Sequence, residues 1–441
     1  MGEKTNELER RLRERAEGEV KFDKLSRTLY STDASMYQIE PVGVFLPRSR
    51  EDVITAIQTA GELNIPVIPR GGGTGLAGQT VGKALIIDFS KYLNEIIELN
   101  VEERWVRVQP GVVLDELNHY LKPHGLHFAP DVATSSRANV GGMISNNSAG
   151  AHSVKYGKTI DHVIHLEVVL SDGTVCSWGE MSAEEVGARV EQKNLEGQIF
   201  REVVRLSRTH RDEILERYPR ILRRVGGYNL DAFIDDKPFN MSRMVVGSEG
   251  TLVGVLEAKV NLEPLPQAKA LGVIQFEGLI ESMKAVAPIL ETEPAAVELI
   301  DKMILDQTKG SIELSKQRSW VEGDPAAVLV VEYYGESMDE IEPKLEALEK
   351  LMASEGLGYG FLRAVSAEDQ NNVWNVRKAG LGLLMGIVGD AKPVAFVEDA
   401  AVSPELLPEY IEEFERIVRS HNTVAGYYAH ASVGLLHIRP V

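Results

Sequence analysis

The sequence predicts an α+β protein, and three observations carry that prediction. A tandem-glycine loop at 69–79 runs on into a strand pattern rather than into a helix. Beyond Pro264 and Pro266, which mark a boundary, strand and helix patterns alternate at regular intervals. The predicted helices carry apolar residues three and four apart, while the predicted strands alternate with a period of two. At 441 residues the chain is long enough for two or three domains.

Taken in order, residues 4–19 read as a charged surface helix. Ser49 opens a clearer one, with Asp52 three residues on in a capping-box pattern and Val53, Ile54, Ile57 and Ala60 at helical spacing. Strand-like pieces follow at 66–68, 84–88, 95–98 and 104–108, then a helix at 113–122. Residues 163–175 contain strands around the turn signal Ser171-Asp172-Gly173. In the second half, strands at 270–277, 327–334, 358–364 and 393–399 alternate with helices at 279–292, 338–354, 367–385 and 404–420. The stripe Ile341, Leu345, Leu348, Leu351 and Met352 shows how one of these helices packs. The expected arrangement is a sheet with helices on one face. A last strand pattern runs from Thr423 to Val441, and its lack of a polar tail leads us to expect further sequence beyond it in the parent protein.

Charge narrows the function. Lys and Arg number 47 and Asp and Glu 66, a formal net charge of −19, which disfavours nucleic acid and anionic lipid as partners. An anionic substrate would need a local cluster of Arg or Lys. Cys176 is the single cysteine, so neither an internal disulfide nor a cysteine-ligated iron–sulfur cluster is available. No apolar run reaches the roughly 18 residues of a membrane span, and the charged N-terminus lacks a signal-peptide core. The expectation is a cytoplasmic protein, peripheral to a membrane only through a partner.

Within the loop, Gly73-Thr74-Gly75-Leu76-Ala77-Gly78 matches the dinucleotide pattern GxGxxG formally. Its context rejects that reading, because Gly78 leads through Gln79 to Lys83 into a strand, whereas the dinucleotide turn must open a helix. The physical content survives: tandem glycines let main-chain N–H groups converge into a nest that binds phosphate. The plain alternative is a structural turn. Residues 139–157, small, polar and nearly free of charge, suit close approach to a large polar ligand or, equally, a long surface loop.

Three segments then carry a resemblance. Pro69-Arg70-Gly71-Gly72-Gly73-Thr74, the stretch with Ala129-Pro130-Asp131, Gly141-Gly142, Asn146 and Gly150, and Gly247-Ser248-Glu249-Gly250-Thr251-Leu252 resemble the cofactor segments of the FAD-linked oxidase superfamily, the vanillyl-alcohol-oxidase or PCMH-type flavoproteins. Within it the chain is most similar to the D-2-hydroxy-acid dehydrogenase branch, from about Tyr37 to the C-terminus. The resemblance implies an N-terminal helical segment at 1–36, a two-lobed PCMH-type FAD-binding domain at 37–266, and a cap domain at 267–441 with an antiparallel sheet, truncated at its C-terminal end. It places the pyrophosphate on Arg70, Gly71, Gly72, Gly73, Thr74, Gly75 and Gly78, with Pro69 and Gln79 also against the cofactor. Pro130, Asp131, Ala133, Thr134, Gly141, Gly142, Asn146, Ser148, Gly150, His152, Tyr156 and Val163 line the rest, and Glu249, Gly250, Thr251 and Leu252 close beside them. Covalently flavinylated relatives often carry His in the glycine loop; Thr74 here implies non-covalent FAD.

On the substrate side, Trp374-Asn375-Val376-Arg377 matches the branch's Trp-x-x-Arg, whose Arg binds the substrate carboxylate, and a planar guanidinium suits that task. A solvated helical Arg is the ordinary alternative. Lys392 is a second candidate cation. His430 and His437 stand seven apart, where relatives carry His-x-Gly-Asp-Gly-Asn-x-His and ligate a divalent metal such as zinc. Val433 and Leu435 replace the Asp and Asn, as in the long iron–sulfur-fused members. The relatives' downstream Glu-His pair, a third ligand and a base, lies beyond Val441. Arg223 and Arg224 resemble a segment near the substrate entrance, or else a solvated helix end.

The resemblance implies oxidation of a small anionic D-2-hydroxy acid (D-lactate, glycolate or D-2-hydroxyglutarate class) by hydride transfer to flavin N5. Electrons then pass to a separate acceptor: a quinone, a cytochrome or an iron–sulfur protein or domain. The alternative is a non-catalytic FAD-binding subunit or fragment of a larger electron-transfer protein.

Overall fold

The computed structural model describes residues 2–224, 226–234 and 238–441. The chain forms two compact units, one of Met1–Ala149, Lys158–Arg220 and Val225–Leu265, the other of Gly150–Gly157, Ile221–Arg224 and Pro266–Val441.

The first unit has two lobes. In one, strands β1 (Glu19–Lys21), β2 (Gly43–Leu46), β3 (Val67–Arg70) and β4 (Leu85–Asp88) form a sheet in the order β1-β2-β4-β3, parallel across β2, β4 and β3. Helices α1 (Gly2–Arg15) and α2 (Arg50–Glu62) cover it, with Leu8, Leu12, Val53 and Ala56 buried against Phe45, Leu85 and Ile87. Ser49 caps α2 as expected, its hydroxyl accepting from the Asp52 N–H at 3.2 Å. Asp52 does not complete the box; its carboxylate accepts from Glu17 N–H and Arg48 N–H, both at 2.8 Å, and so ties α2 to the preceding chain.

The other lobe is an antiparallel sheet of β5 (Ile96–Asn100), β6 (Trp105–Val108), β7 (Val163–Val169), β8 (Val175–Trp178) and β9 (Gly254–Asn261), in the order β5-β6-β9-β7-β8. The period of two in β6 is obeyed, since Val106 and Val108 are buried and Arg107 is exposed. Helices α3 (Leu114–Leu121) and α4 (Val140–Asn146) join the same core through Leu117, Val140 and Ile144. Cys176 lies inside this core, where burial pushes its thiol up to about 12. It should therefore stay unmodified by iodoacetamide at mildly alkaline pH until the chain is denatured; one equivalent of rapid alkylation in the native protein would contradict this packing.

The second unit is built on one seven-stranded antiparallel sheet. Its strands are β10 (Ala268–Phe276), β11 (Ala296–Asp301), β12 (Ala327–Gly335), β13 (Gly360–Ala364), β14 (Val397–Ala401), β15 (Ala425–His430) and β16 (Leu435–Pro440). Their order is β13-β10-β12-β11-β15-β16-β14. Helices α5 (Leu279–Leu290), α6 (Lys302–Lys309), α7 (Met338–Glu355), α8 (Ala367–Met385) and α9 (Leu407–Ser420) surround it.

The expectation of helices on one face needs correction. α5, α7 and α9 pack Val286, Ile341, Leu345 and Ile411 against Val297, Leu299 and Val331. α6 and α8 pack Ile304, Val373 and Val376 against Ile300, Val328 and Val330. Alternate residues of one strand point to opposite faces, and strands such as β12 are buried on both, so both need cover. The edge strand expected at 393–399 is shifted to Val397–Ala401. Strand β11 and helix α6 had no counterpart in the sequence reading. Glu298 and Asp301 punctuate an otherwise apolar run there, yet every residue of β11 is buried.

Candidate functional site

The first unit holds a cleft with about 1060 Å³ of empty space. Main chain from Pro69 to Gly75 forms one wall, with Gln79 beside it; Gly141 and Gly142 in the first turn of α4, then Asn146, Ser148, Glu249 and Gly250, form the others. Three stretches far apart in sequence thus meet. Glu249 fastens them: its carboxylate accepts from Asn146 Nδ2 at 3.0 Å and from Gln79 Nε2 at 3.3 Å.

The loop's glycines are sterically required. A Cβ on Gly72 would lie 2.4 Å from the Arg137 carbonyl oxygen, and Gly73 has a left-handed φ of 63°. Arg70 ends β3 and serves as the loop's fastener. Its guanidinium donates to the carbonyls of Thr32 at 2.7 Å, Tyr30 at 3.2 Å and Thr80 at 3.3 Å, and burial lowers its pKa. These three bonds hold the guanidinium against the main chain that flanks the loop.

Two buried oxygens of lining residues, Asn139 Oδ1 and Gln79 Oε1, have no hydrogen-bond partner among the described residues. Such orphaned acceptors call for donors from a ligand. A glycine-walled cleft with unpaired polar atoms and an apolar floor of Val132, Val253 and Val255 fits a flavin dinucleotide.

Among the residues the sequence nominated, Thr134 also lines this cleft, whereas Gly78, Pro130, Asp131, Ala133, Val163, Thr251 and Leu252 do not. The Gly78 α-carbon faces the Tyr37 ring instead, and Thr251 bonds the Tyr228 hydroxyl at 2.8 Å. Gly150, His152 and Tyr156 group with the second unit, because His152 pairs with the buried Glu332 and stacks on Tyr334. Asn139 was missed; its place immediately before the Val140-Gly141-Gly142 helix start was the available signal.

The second unit gathers its polar groups on one sheet face. Register pairs Glu298 with His430 and Tyr428 with His437, so these four, with Glu332 and Arg439, emerge on the side that α8 covers with Trp374 and Arg377. Arg377 is 7% exposed; its Nη2 lies 2.5 Å from Glu298 and 3.4 Å from the Ala429 carbonyl, while its Nε has no hydrogen-bond partner among the described residues. Glu298 also meets His430 Nδ1 at 2.8 and 3.0 Å. Burial holds His430 below the ordinary imidazole pKa, against the pull of Glu298.

A second set mirrors the first. His437 Nδ1 lies 2.5 Å from Glu398, and Glu398 pairs in turn with the fully buried Arg439, which donates to the Tyr428 hydroxyl at 2.7 Å. The Tyr428 ring is 5.1 Å from one guanidinium carbon and 5.3 Å from the other, and it stacks on His437 at 4.5 Å. The two imidazoles stand 5.2 Å apart, centre to centre. Among the described residues, the group of three whose ligand atoms lie within 4.8 Å of one another is Glu398, Asp399 and His437. The sequence-nominated pair His430 and His437 is thus brought together, with His430 outside that triplet.

Lys392 corrects another expectation. It is exposed, in the segment between α8 and β14, and its Nζ bonds the Ile387 carbonyl rather than joining the cluster. Lys392→Ala should leave stability within about 0.5 kcal/mol of the parent chain, as expected for an exposed side chain; a loss of several kcal/mol in thermal melts would place Lys392 in a buried contact. Arg223, by contrast, is buried.

A flavin cleft in a two-lobed first unit and a charged antiparallel second unit define an FAD-dependent oxidase fold, and the comparisons agree. Residues 41–179 match an FAD binding domain, and residues 265–441 match the C-terminal domain of FAD linked oxidases. The chain belongs to the FAD-linked oxidase superfamily. It is 35% identical over 437 residues to D-2-hydroxyglutarate dehydrogenase of Pantoea ananatis (strain AJ13355), covering 96% of this chain and 43% of that protein. It is 27% identical over 420 residues to glycolate oxidase subunit GlcD of Bacillus subtilis (strain 168), covering 93% of this chain and 75% of that one. The chain therefore spans less than half the length of the D-2-hydroxyglutarate dehydrogenases it matches. Among solved structures, p-cresol methylhydroxylase with substrate bound matches with a TM-score of 0.72 at 14% identity, over 100% of this chain and 83% of that one, a likeness of fold. No helix among the described residues is long and apolar enough to cross a membrane.

Proposed function

We propose that the chain oxidises a D-2-hydroxy acid to the 2-oxo acid, with non-covalently held FAD as the immediate oxidant and a separate acceptor taking the electrons onward. The observation that supports it best is Arg377: a buried guanidinium that shares Glu298 with His430 and whose Nε–H finds no acceptor among the described residues. A carboxylate is the anion whose geometry matches the remaining donors of that fork.

The reaction removes two electrons, the hydrogen on C2 and the hydroxyl proton from the substrate. FAD, when bound, supplies the two-electron acceptor. Arg377 binds and orients the carboxylate, which fixes C2 and its hydroxyl in place. Glu298 holds Arg377 and His430 in that arrangement. His430 and His437 would hold a divalent cation such as zinc, which when bound would make the α-hydroxyl more acidic.

The test is a panel of D- and L-2-hydroxy acids under nitrogen, headed by D-2-hydroxyglutarate because four relatives carry its name. The flavin should be released intact by acid precipitation, since Thr74 occupies the loop position where a covalent link would be made. Reduction by no member of the panel would contradict the reading. The second reading, a flavin-binding part of a longer electron-transfer protein, is favoured by the 43% coverage of the relatives. It predicts bound FAD that stays oxidised with every acid.

A further inference from the structure

We propose that Glu298 and Glu398 are paired positioning residues that lock His430 and His437 in the tautomer bearing its hydrogen on Nδ1, so that both Nε2 lone pairs are offered together. The inference rests on the reading of these two histidines as a cation-binding pair, and it concerns what prepares them.

The two sets are built alike. Both oxygens of Glu298 face His430 Nδ1, at 2.8 and 3.0 Å, and the more distant one also lies 2.5 Å from Arg377 Nη2. One oxygen of Glu398 faces His437 Nδ1 at 2.5 Å, and its other oxygen meets Arg439 Nη2. A carboxylate can only accept, so the ring nitrogen it faces must carry the hydrogen, and the second nitrogen is left with its lone pair. Each guanidinium fixes its carboxylate from the far side. Tyr428, between the two guanidiniums and stacked on His437, keeps the two sets in register. Carboxylates that orient metal-ligating histidines in this way strengthen the ligand and set which nitrogen binds.

The rival arrangement is a cation held by Glu398, Asp399 and the Nδ1 of His437, whose ligand atoms are close enough for it. It would draw Glu398 away from Arg439 and leave a fully buried guanidinium without its carboxylate. Burying an unpaired charge is costly, which disfavours that rival.

Histidine-selective ¹⁵N NMR on the flavin-loaded chain, at a pH where both rings are neutral, reads the tautomers directly, and a Co²⁺ titration reads the binding. We expect Nδ1–H tautomers at His430 and His437 in the wild type. Glu298→Gln should loosen the preference at His430 alone and Glu398→Gln at His437 alone, each weakening Co²⁺ by about 10- to 100-fold with flavin retained. An Nε2–H tautomer at either histidine in the wild type overturns the inference, and so do variants that leave tautomers and Co²⁺ affinity unchanged. Asp399→Asn weakening Co²⁺ as much as Glu398→Gln also overturns it, in favour of the rival. Locked Nδ1–H tautomers in a chain that takes up no Co²⁺ would uphold it and remove the cation from the functional reading.

Discussion

Replacing Arg377 with alanine is expected to raise the KM for the hydroxy acid by about 10²-fold or more while the flavin stays bound. A charge-assisted pair to a carboxylate, lost in a buried setting, is worth about 2–5 kcal/mol, and 3 kcal/mol alone is about 150-fold. The same change strips Glu298 of its guanidinium, and breaking a buried ion pair costs about 3–5 kcal/mol of stability. The two effects separate in Arg377→Lys. A lysine keeps the charge against Glu298 but lacks the planar fork, so thermal stability should return most of the way while KM stays high. An unchanged KM in either variant would remove Arg377 from substrate binding.

Gly72→Ala is expected to yield a colourless protein. The added methyl carbon would lie 2.4 Å from the Arg137 carbonyl oxygen, a main-chain atom that cannot swing aside, so the loop wall must shift. Since the nest binds through main-chain N–H groups, a shift removes several phosphate contacts together. Gly187→Ala, where nothing lies within 4 Å of the new atom, is the control and should remain yellow. Flavin content measured by absorbance against protein concentration decides the matter, and a fully loaded Gly72→Ala would mean that the loop is an ordinary turn.

These expectations draw on parts of the molecule that differed in how readable they were. The glycine loop was legible because tandem glycines are a local pattern: Gly73 needs its left-handed φ wherever the loop packs, although the crowding of Gly72 by the distant Arg137 carbonyl is set by the fold. Arg377 and the two histidines were nominated through the family resemblance, since a helical Arg or a pair of His seven apart is weak evidence by itself. The carboxylates that organise them were not. Glu298 and Glu332 look like solvent-facing breaks in apolar strands, yet they are buried, because cross-strand register sets Glu298 opposite His430 and Lys269, Trp374 and His152 close over Glu332. Arg439, which the sequence did not single out, is fully buried. Which face of a strand is covered, and by which helix, depends on pairing across the whole sheet, and that also explains why helices on two faces were read as helices on one. Lys392 errs the other way: a cation beside a strand pattern, left exposed by an irregular connection.

The most direct test of the account is the visible spectrum of the purified, flavin-loaded chain under nitrogen, recorded before and after D-2-hydroxyglutarate is added. Oxidised-flavin bands should bleach with the D-acid and persist with the L-acid. A chain that purifies and reconstitutes without flavin, or whose flavin stays oxidised with every D-2-hydroxy acid, would contradict it.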